Sequence, residues 1–379
     1  MSNACGSSCA SLANSVERLR VMDSTDKRWK QLAELLVNYS AGVKPGERVM
    51  IAMSELESFP LVRALYEATI KAGGFPQVQF LSEILRHCIL KYGNEEQLRW
   101  VPEIEAYGMD WADVYFGLRG AHSLSEQSDV PADRLAANQA AMGKVSTLRW
   151  QETRLCLVRV PNAESALEAG TDLATVMEIF FNAWLIDWEG EGIKLHRWAE
   201  RLNRTSEIRV VGQDTDLRFS VEGRRWMVGD GKINMPDGEI YTSPVTETID
   251  GHIYFEFPGV LGGRLVDNIR LRWVEGRLAE AHSSAHQEFL EAIVRTDSGA
   301  SLIGEFGMGS NAALTWFWKD ILIDEKIAGT VHIALGRAYP ECGAINESAI
   351  HWDIIKDMRQ KGAVYADGKP VLQSGVFLM

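Results

Sequence analysis

A strand, a helix and a second strand follow one another near the start of the chain, and this unit narrows the available folds more than any other stretch. RVMIAM (Arg48–Met53) is a short apolar run, FPLVRALYEATIKAGG is an amphipathic helix stopped at Gly73–Gly74, and PQVQF is a second extended run. Strands joined through a helix run parallel, and a parallel sheet needs helices over its faces. Two further strand-like runs, ADVYFGLR (112–119) and RLCLVRVP (154–161), and a helix over Asp172–Asp187 extend the pattern. With the helix expected over residues 24–42, ended by Gly42, they predict an α/β domain built on a doubly wound parallel sheet. The first strand-to-helix turn, MIAMSELESF, has no glycine. A dinucleotide or phosphate loop is therefore unsupported, and the domain reads as a scaffold.

The pattern changes near Asn203. From there to about Glu280, Glu222–Gly223, Asp250–Gly251 and Glu275–Gly276 interrupt alternating runs such as LRFSVEGRRWMVG and TIDGHIYFEF, and each predicts a hairpin. AVYADGKPVLQSGVFL predicts a last hairpin. The expected organisation is a flexible N-terminus over 1–23, an N-terminal α/β domain over 24–203 and a β-rich C-terminal domain over 204–379 that carries the chemistry.

Composition excludes several classes of function. The 379 residues carry a net charge of −13, from 52 acidic and 39 basic side chains, which opposes a nucleic-acid backbone as partner. No apolar run approaches the roughly 18 residues of a membrane span. MSNACGSSCASL has neither the basic start nor the apolar centre of a secretory signal, so the expected address is cytoplasmic. Five cysteines (Cys5, Cys9, Cys88, Cys156, Cys342) stand at irregular spacing and fit a reducing compartment. Cys5 and Cys9 belong to the expected flexible tail.

The candidate chemistry gathers between Ile323 and Ile354. His332 lies in TVHIALG, an alternating β-branched run that suits a strand, and AIHWDI places His351 and Asp353 two residues apart. If AIHWDI is also a strand, both side chains share a face, because the side-chain period is two. Two imidazoles and a carboxylate on adjacent strands are compatible either with an ordinary polar edge or with half of a divalent metal site. Glu239 in NMPDGEIYTSP reads as a solvated carboxylate after a turn, and Glu305 in IGEFGMG as part of a tight turn or of a site with room beside it. Asp324 and Glu325 either cap a turn or orient ligands from behind. Tyr339, beside a proline, suits packing. HSSAH puts His282 and His286 at i, i+4 on one expected helix face, but lacks the acidic residue of a zincin helix and reads as a surface or subunit contact.

Taken together and in order, NMPDGEIYTSP, LIGEFGMGSN, DEKIAGTVHIALGRAYPE and NESAIHWDIIKDM resemble the M29 metallo-aminopeptidases. The resemblance covers most of the chain from about Arg154 onward. It implies Glu239, Glu305, His332, His351 and Asp353 as ligands of two divalent ions, zinc, cobalt or magnesium, with Glu305 lying between them and acting in catalysis. It also implies that Tyr339 lines the site, where its hydroxyl can donate to an oxyanion. Three carboxylates against two divalent cations leave +1, the charge that a bound hydroxide neutralises. The implied activity is removal of the N-terminal residue from a peptide, by a homodimer whose enclosed cavity admits short substrates. Two other enzymes stay open: a mononuclear iron ring-cleaving dioxygenase using His332, His351 and Asp353, and a hydrolase of a non-peptide amide with the same five ligands. A non-catalytic scaffold would have lost ligands, and none is lost.

Overall fold

The structure, a computed structural model, describes residues 26–120, 129–261 and 263–379. The expected flexible N-terminus, with Cys5 and Cys9, lies outside them. The described residues pack as two compact units, one of those up to 185 with 232–235 and one of those in 186–231 with 236–379.

The first unit holds a five-stranded sheet, Phe75–Phe80, Arg48–Met53, Val114–Arg119, Arg154–Arg159 and Asn234–Met235 in spatial order, with every neighbouring pair parallel. The central runs RVMIAM and VYFGLR are buried at every position but one end, which explains why their sequences are continuous apolar runs rather than alternations. Helix Lys27–Leu35 starts where the Asp26 carboxylate accepts the Arg28 N–H, runs on as a wider turn through Ser40, and ends before Gly42 at φ +55°. Its Trp29 packs edge-on against Phe181, 4.9 Å between ring centres, from helix Leu173–Trp184.

The second unit is antiparallel. One sheet has eight strands, from Arg277–His282 at one edge to Val376–Phe377 at the other. Another has five strands in the order His351–Asp357, Thr330–Gly336, Ile303–Gly309, Glu239–Thr242 and Met227–Gly229. Their shared core joins Ile208, Leu217, Phe219 and Trp273 from the first sheet to Ile240, Phe306, Val331, Ile333 and Ile354 from the second. Helix Trp188–Leu202 contributes Leu195, Trp198 and Leu202 to that core. The helix therefore belongs with the β-rich unit, which begins ahead of the expected boundary at Asn203.

Of the three turn expectations, one holds and two do not. Glu275–Gly276 is a hairpin turn, with φ +47° and +76°, between Arg270–Val274 and Arg277–His282. Asp250–Gly251 instead lies within strand Asp250–Tyr254: Gly251, at φ +117°, faces Leu217, and a Cβ there would meet the Asp216 carbonyl at 2.1 Å. The glycine permits close strand approach rather than a turn. Glu222–Gly223 turns between strands of two different sheets, so it closes no hairpin. His282 ends a strand, and His286 stands at φ +58° just before helix Gln287–Val294, so the two do not share a helix face.

Candidate metal centre

Alternation along the five-stranded sheet separates core from chemistry. Ile240, Phe306, Ile333 and Ile354 point into the core, so the residues next to them point the other way. Register then sets them side by side: Glu305 opposite Ala334 and Ala334 opposite Asp353, Gly336 opposite His351, Gly307 opposite both His332 and Tyr241, and Gly309 opposite Glu239. Small residues thus alternate with the functional ones. At Gly307 the space is already taken, since a Cβ would lie 2.1 Å from the His332 ring.

All five ligands expected from the sequence meet on this face. His332 Nε2 lies 3.3 Å from Glu305 Oε1 and 3.5 Å from Glu239 Oε2. His351 Nε2 lies 3.4 Å from Glu305 Oε2 and 3.3 Å from Asp353 Oδ2. Glu305 therefore spans the two imidazoles, one oxygen to each. The donors form two trios, Glu239 with Glu325 and His332, and Glu305 with His351 and Asp353, each with its ligand atoms within 4.8 Å of one another. Tyr339 flanks them, its ring centre 5.0 Å from that of His351 and 5.9 Å from that of Tyr241.

Protonation at His351 follows from its neighbours. Nδ1 lies 2.7 Å from the Arg337 carbonyl, which can only accept, so Nδ1 carries the proton. A metal that displaces the proton on Nε2 then meets a neutral ring whose lone pair points to the side of the carboxylates.

Glu325, expected either to cap a turn or to orient ligands from behind, stands among the donors themselves, and Lys326, Asp237 and Tyr241, which carry no signal in the sequence, lie beside it or across the same face. Lys326 is wholly buried and donates to Glu239 Oε1 and Glu325 Oε1, each at 2.5 Å. A lone lysine in sequence reads as surface, and only packing reveals it here. Asp237, buried beside it, accepts from the Gly231 and Gly238 amides. Asp324 does not join the group; its carboxylate accepts the Trp318 N–H at 2.6 Å and fixes that loop.

Without metal, the carboxylates of this pocket outnumber Lys326, and the site holds protons in place of cations. Burial raises Glu239 and Glu325 to about 8 against the pull of Lys326. Burial also pushes Glu305 up, but the two histidines outweigh it and hold the group at about 2. Burial lowers His351, yet Asp353 and Glu305 raise it to about 11. Burial pushes the Tyr339 phenol well above its ordinary value, with Glu305 and Asp353 adding to the effect, so its O–H stays a donor. Glu239 Oε2 and Asp353 Oδ1 are buried without a hydrogen-bond partner. Unsatisfied acceptor oxygens beside imidazole nitrogens are a donor set that fits divalent cations.

Residues 25–377 match the model of the thermophilic metalloprotease family M29, and the chain belongs to that family. Among its relatives, aminopeptidase T of Thermus thermophilus is 27% identical, over 93% of this chain and 99% of its own length. The solved wild-type AmpT of the same organism superposes with a TM-score of 0.82 at 24% identity, over 93% of this chain and 99% of that one, and shares the fold. A 2,5-dihydroxypyridine dioxygenase of Pseudomonas putida also shares the fold, with a TM-score of 0.61 at 14% identity, over 92% of this chain and 96% of that one.

A cavity of about 510 Å³ lies elsewhere, within the first unit, lined by Met53, Phe80 and Leu118 near the carboxyl ends of its parallel strands. Among the described residues no histidine or cysteine lines it, and the candidate chemistry is in the second unit.

Proposed function

We propose that this protein is a metal-dependent aminopeptidase that removes the N-terminal residue of peptides with two divalent ions, zinc, cobalt or magnesium. The observation that carries the reading is the pair of ligand trios, linked through Glu305. Glu239, Glu325 and His332 would hold one ion, and Glu305, His351 and Asp353 the other. Bound there, the ions would polarise the scissile carbonyl and make water nucleophilic near neutral pH. Glu305 ties the two positions together with one oxygen toward each imidazole. The Arg337 carbonyl keeps the His351 proton on Nδ1, away from the ligand side. Tyr339, held protonated, would donate its hydroxyl hydrogen to the oxygen that gains charge as the carbonyl is attacked.

The assembly belongs to the same proposal: a homodimer, as the family resemblance implies, with a cytoplasmic address. No helix among the described residues is long and apolar enough to cross a membrane.

The dioxygenase alternative needs one iron on His332, His351 and Asp353. It leaves the buried carboxylates Glu239 and Glu325 without a role. A non-peptide amide would use the same ligands as a peptide. Metal content per chain, followed by turnover of aminoacyl-anilides, tests the proposal. Close to two ions with hydrolysis supports it; one iron with no hydrolysis refutes it.

A further inference from the structure

The two ligand trios differ by one lysine. The Lys326 ammonium touches two members of one trio, Glu239 and Glu325, and lies 3.6 Å from Asp237. Among the described residues, the side chains paired with Glu305 and Asp353 are the ligand histidines themselves. With neutral imidazoles, an ion meets two carboxylates beside an ammonium in the first trio and two carboxylates without one in the second. The two positions therefore differ in the ammonium itself, which takes one oxygen from each carboxylate of the first trio and none from the second.

We propose that Lys326 makes the two ion positions unequal and sets their order of filling. The position of Glu305, His351 and Asp353 fills first and holds tightly. The position of Glu239, Glu325 and His332 fills second and exchanges readily. This rests on the two-ion reading above and goes beyond it.

Two physical effects act in the same direction. An ammonium beside a buried cation repels it, a repulsion that Asp237, 3.6 Å from the ammonium, offsets only in part because the ammonium lies closer to the ligand oxygens themselves. The same ammonium also occupies one oxygen of each carboxylate the ion needs. Glu239 Oε2, however, is without a partner and lies 3.5 Å from His332 Nε2. An ion can therefore bind through Oε2 while Oε1 stays on Lys326, so this position is weakened rather than closed. In the empty protein Lys326 keeps Glu239 and Glu325 from repelling each other apart, which leaves the weak position preformed.

The test is zinc uptake by the metal-stripped protein in competition with a colorimetric chelator. Wild type should show two classes of one ion each, separated by about tenfold or more in affinity. Lys326→Met keeps the stem and removes the charge. It should tighten the weak class by about tenfold and leave the tight class within about threefold. Removing the ammonium leaves buried carboxylates unpaired, so this variant can fail to fold without metal. Glu325→Gln is the second arm: it takes one carboxylate from the weak position and should loosen that class alone. Two classes of equal affinity in wild type, or variants that shift both classes alike, would overturn the proposed order. Uptake of only one ion at saturation would overturn the two-ion reading beneath it.

Discussion

Tyr339 stands beside the ligands without being one, and that position separates binding from catalysis at the scale of a single hydroxyl. Tyr339→Phe removes no donor from either trio, so metal content should be unchanged. If the hydroxyl acts only as the carbonyl gains charge, kcat and kcat/KM should fall together by about 10²–10³ while KM holds. A loss below about threefold would reduce Tyr339 to a packing residue. Glu305→Ala should behave differently, because each of its oxygens faces one imidazole. It should lower the bound metal itself, measured by elemental analysis after gel filtration, and a variant that kept both ions and full turnover would show that Glu305 has been misassigned. The two substitutions therefore read two separate quantities. Much of this was legible before the fold: His332, His351 and Asp353 show in alternating strands, where spacing reports facing. Glu325 and Lys326 were not legible, because they follow the short helix Ile321–Asp324, where no period two applies and only packing decides what they meet.

At the scale of the element, the sheet works because its opposed positions are small. Gly307→Ala puts a Cβ where the His332 ring lies, 2.1 Å away, and neither strand can give way without disturbing the ladder. A stability loss of about 1–3 kcal/mol is expected, as for an overpacked core, together with weaker metal uptake from a displaced His332. Thermal melts with and without metal measure both, and an unchanged melt and uptake would show that the strands relax. In the parallel sheet, Asp113 makes a separate prediction about pH. Its carboxylate accepts from the Arg48 guanidinium and backbone N–H, which hold it at about 2 against an ordinary 3.8. A depressed folded-state value means the contribution is present above about 3.8 and is lost as pH falls toward about 2. The pair is exposed, so the gain is about 1 kcal/mol or less. Denaturant melts of wild type and Asp113→Asn should differ at pH 6 and converge near pH 2; a gap that persisted there would exclude ionisation as its cause. Strands such as RVMIAM were legible because burial on both faces writes itself as an apolar run. Asp250–Gly251 was misread because a glycine that admits a neighbouring strand looks, in sequence, like one that makes a turn.

For the whole molecule, the division into two units fixes where metal energy is felt. Every residue of both trios lies in the unit of residues 186–231 and 236–379, which has its own core of Phe219, Trp273, Phe306 and Trp352. Ions that bind the folded state and not the unfolded chain stabilise by mass action, by about 2.7 kcal/mol for one site at a hundredfold excess over its Kd. That stabilisation acts on the β-rich unit, whose strands must be paired before the ligands meet. The parallel-sheet unit holds none of the ligands and gains nothing directly. Chelation should therefore lower the melting temperature of one transition in calorimetry, and zinc should restore it in two steps if the two positions differ in affinity. Hydrogen exchange locates the effect: amides in Ile303–Gly309, Thr330–Gly336 and His351–Asp357 should lose protection on chelation, while those in Arg48–Met53 and Val114–Arg119 should not. Equal loss in both sets would mean that the units unfold as one, and no loss in either would mean that these residues hold no metal.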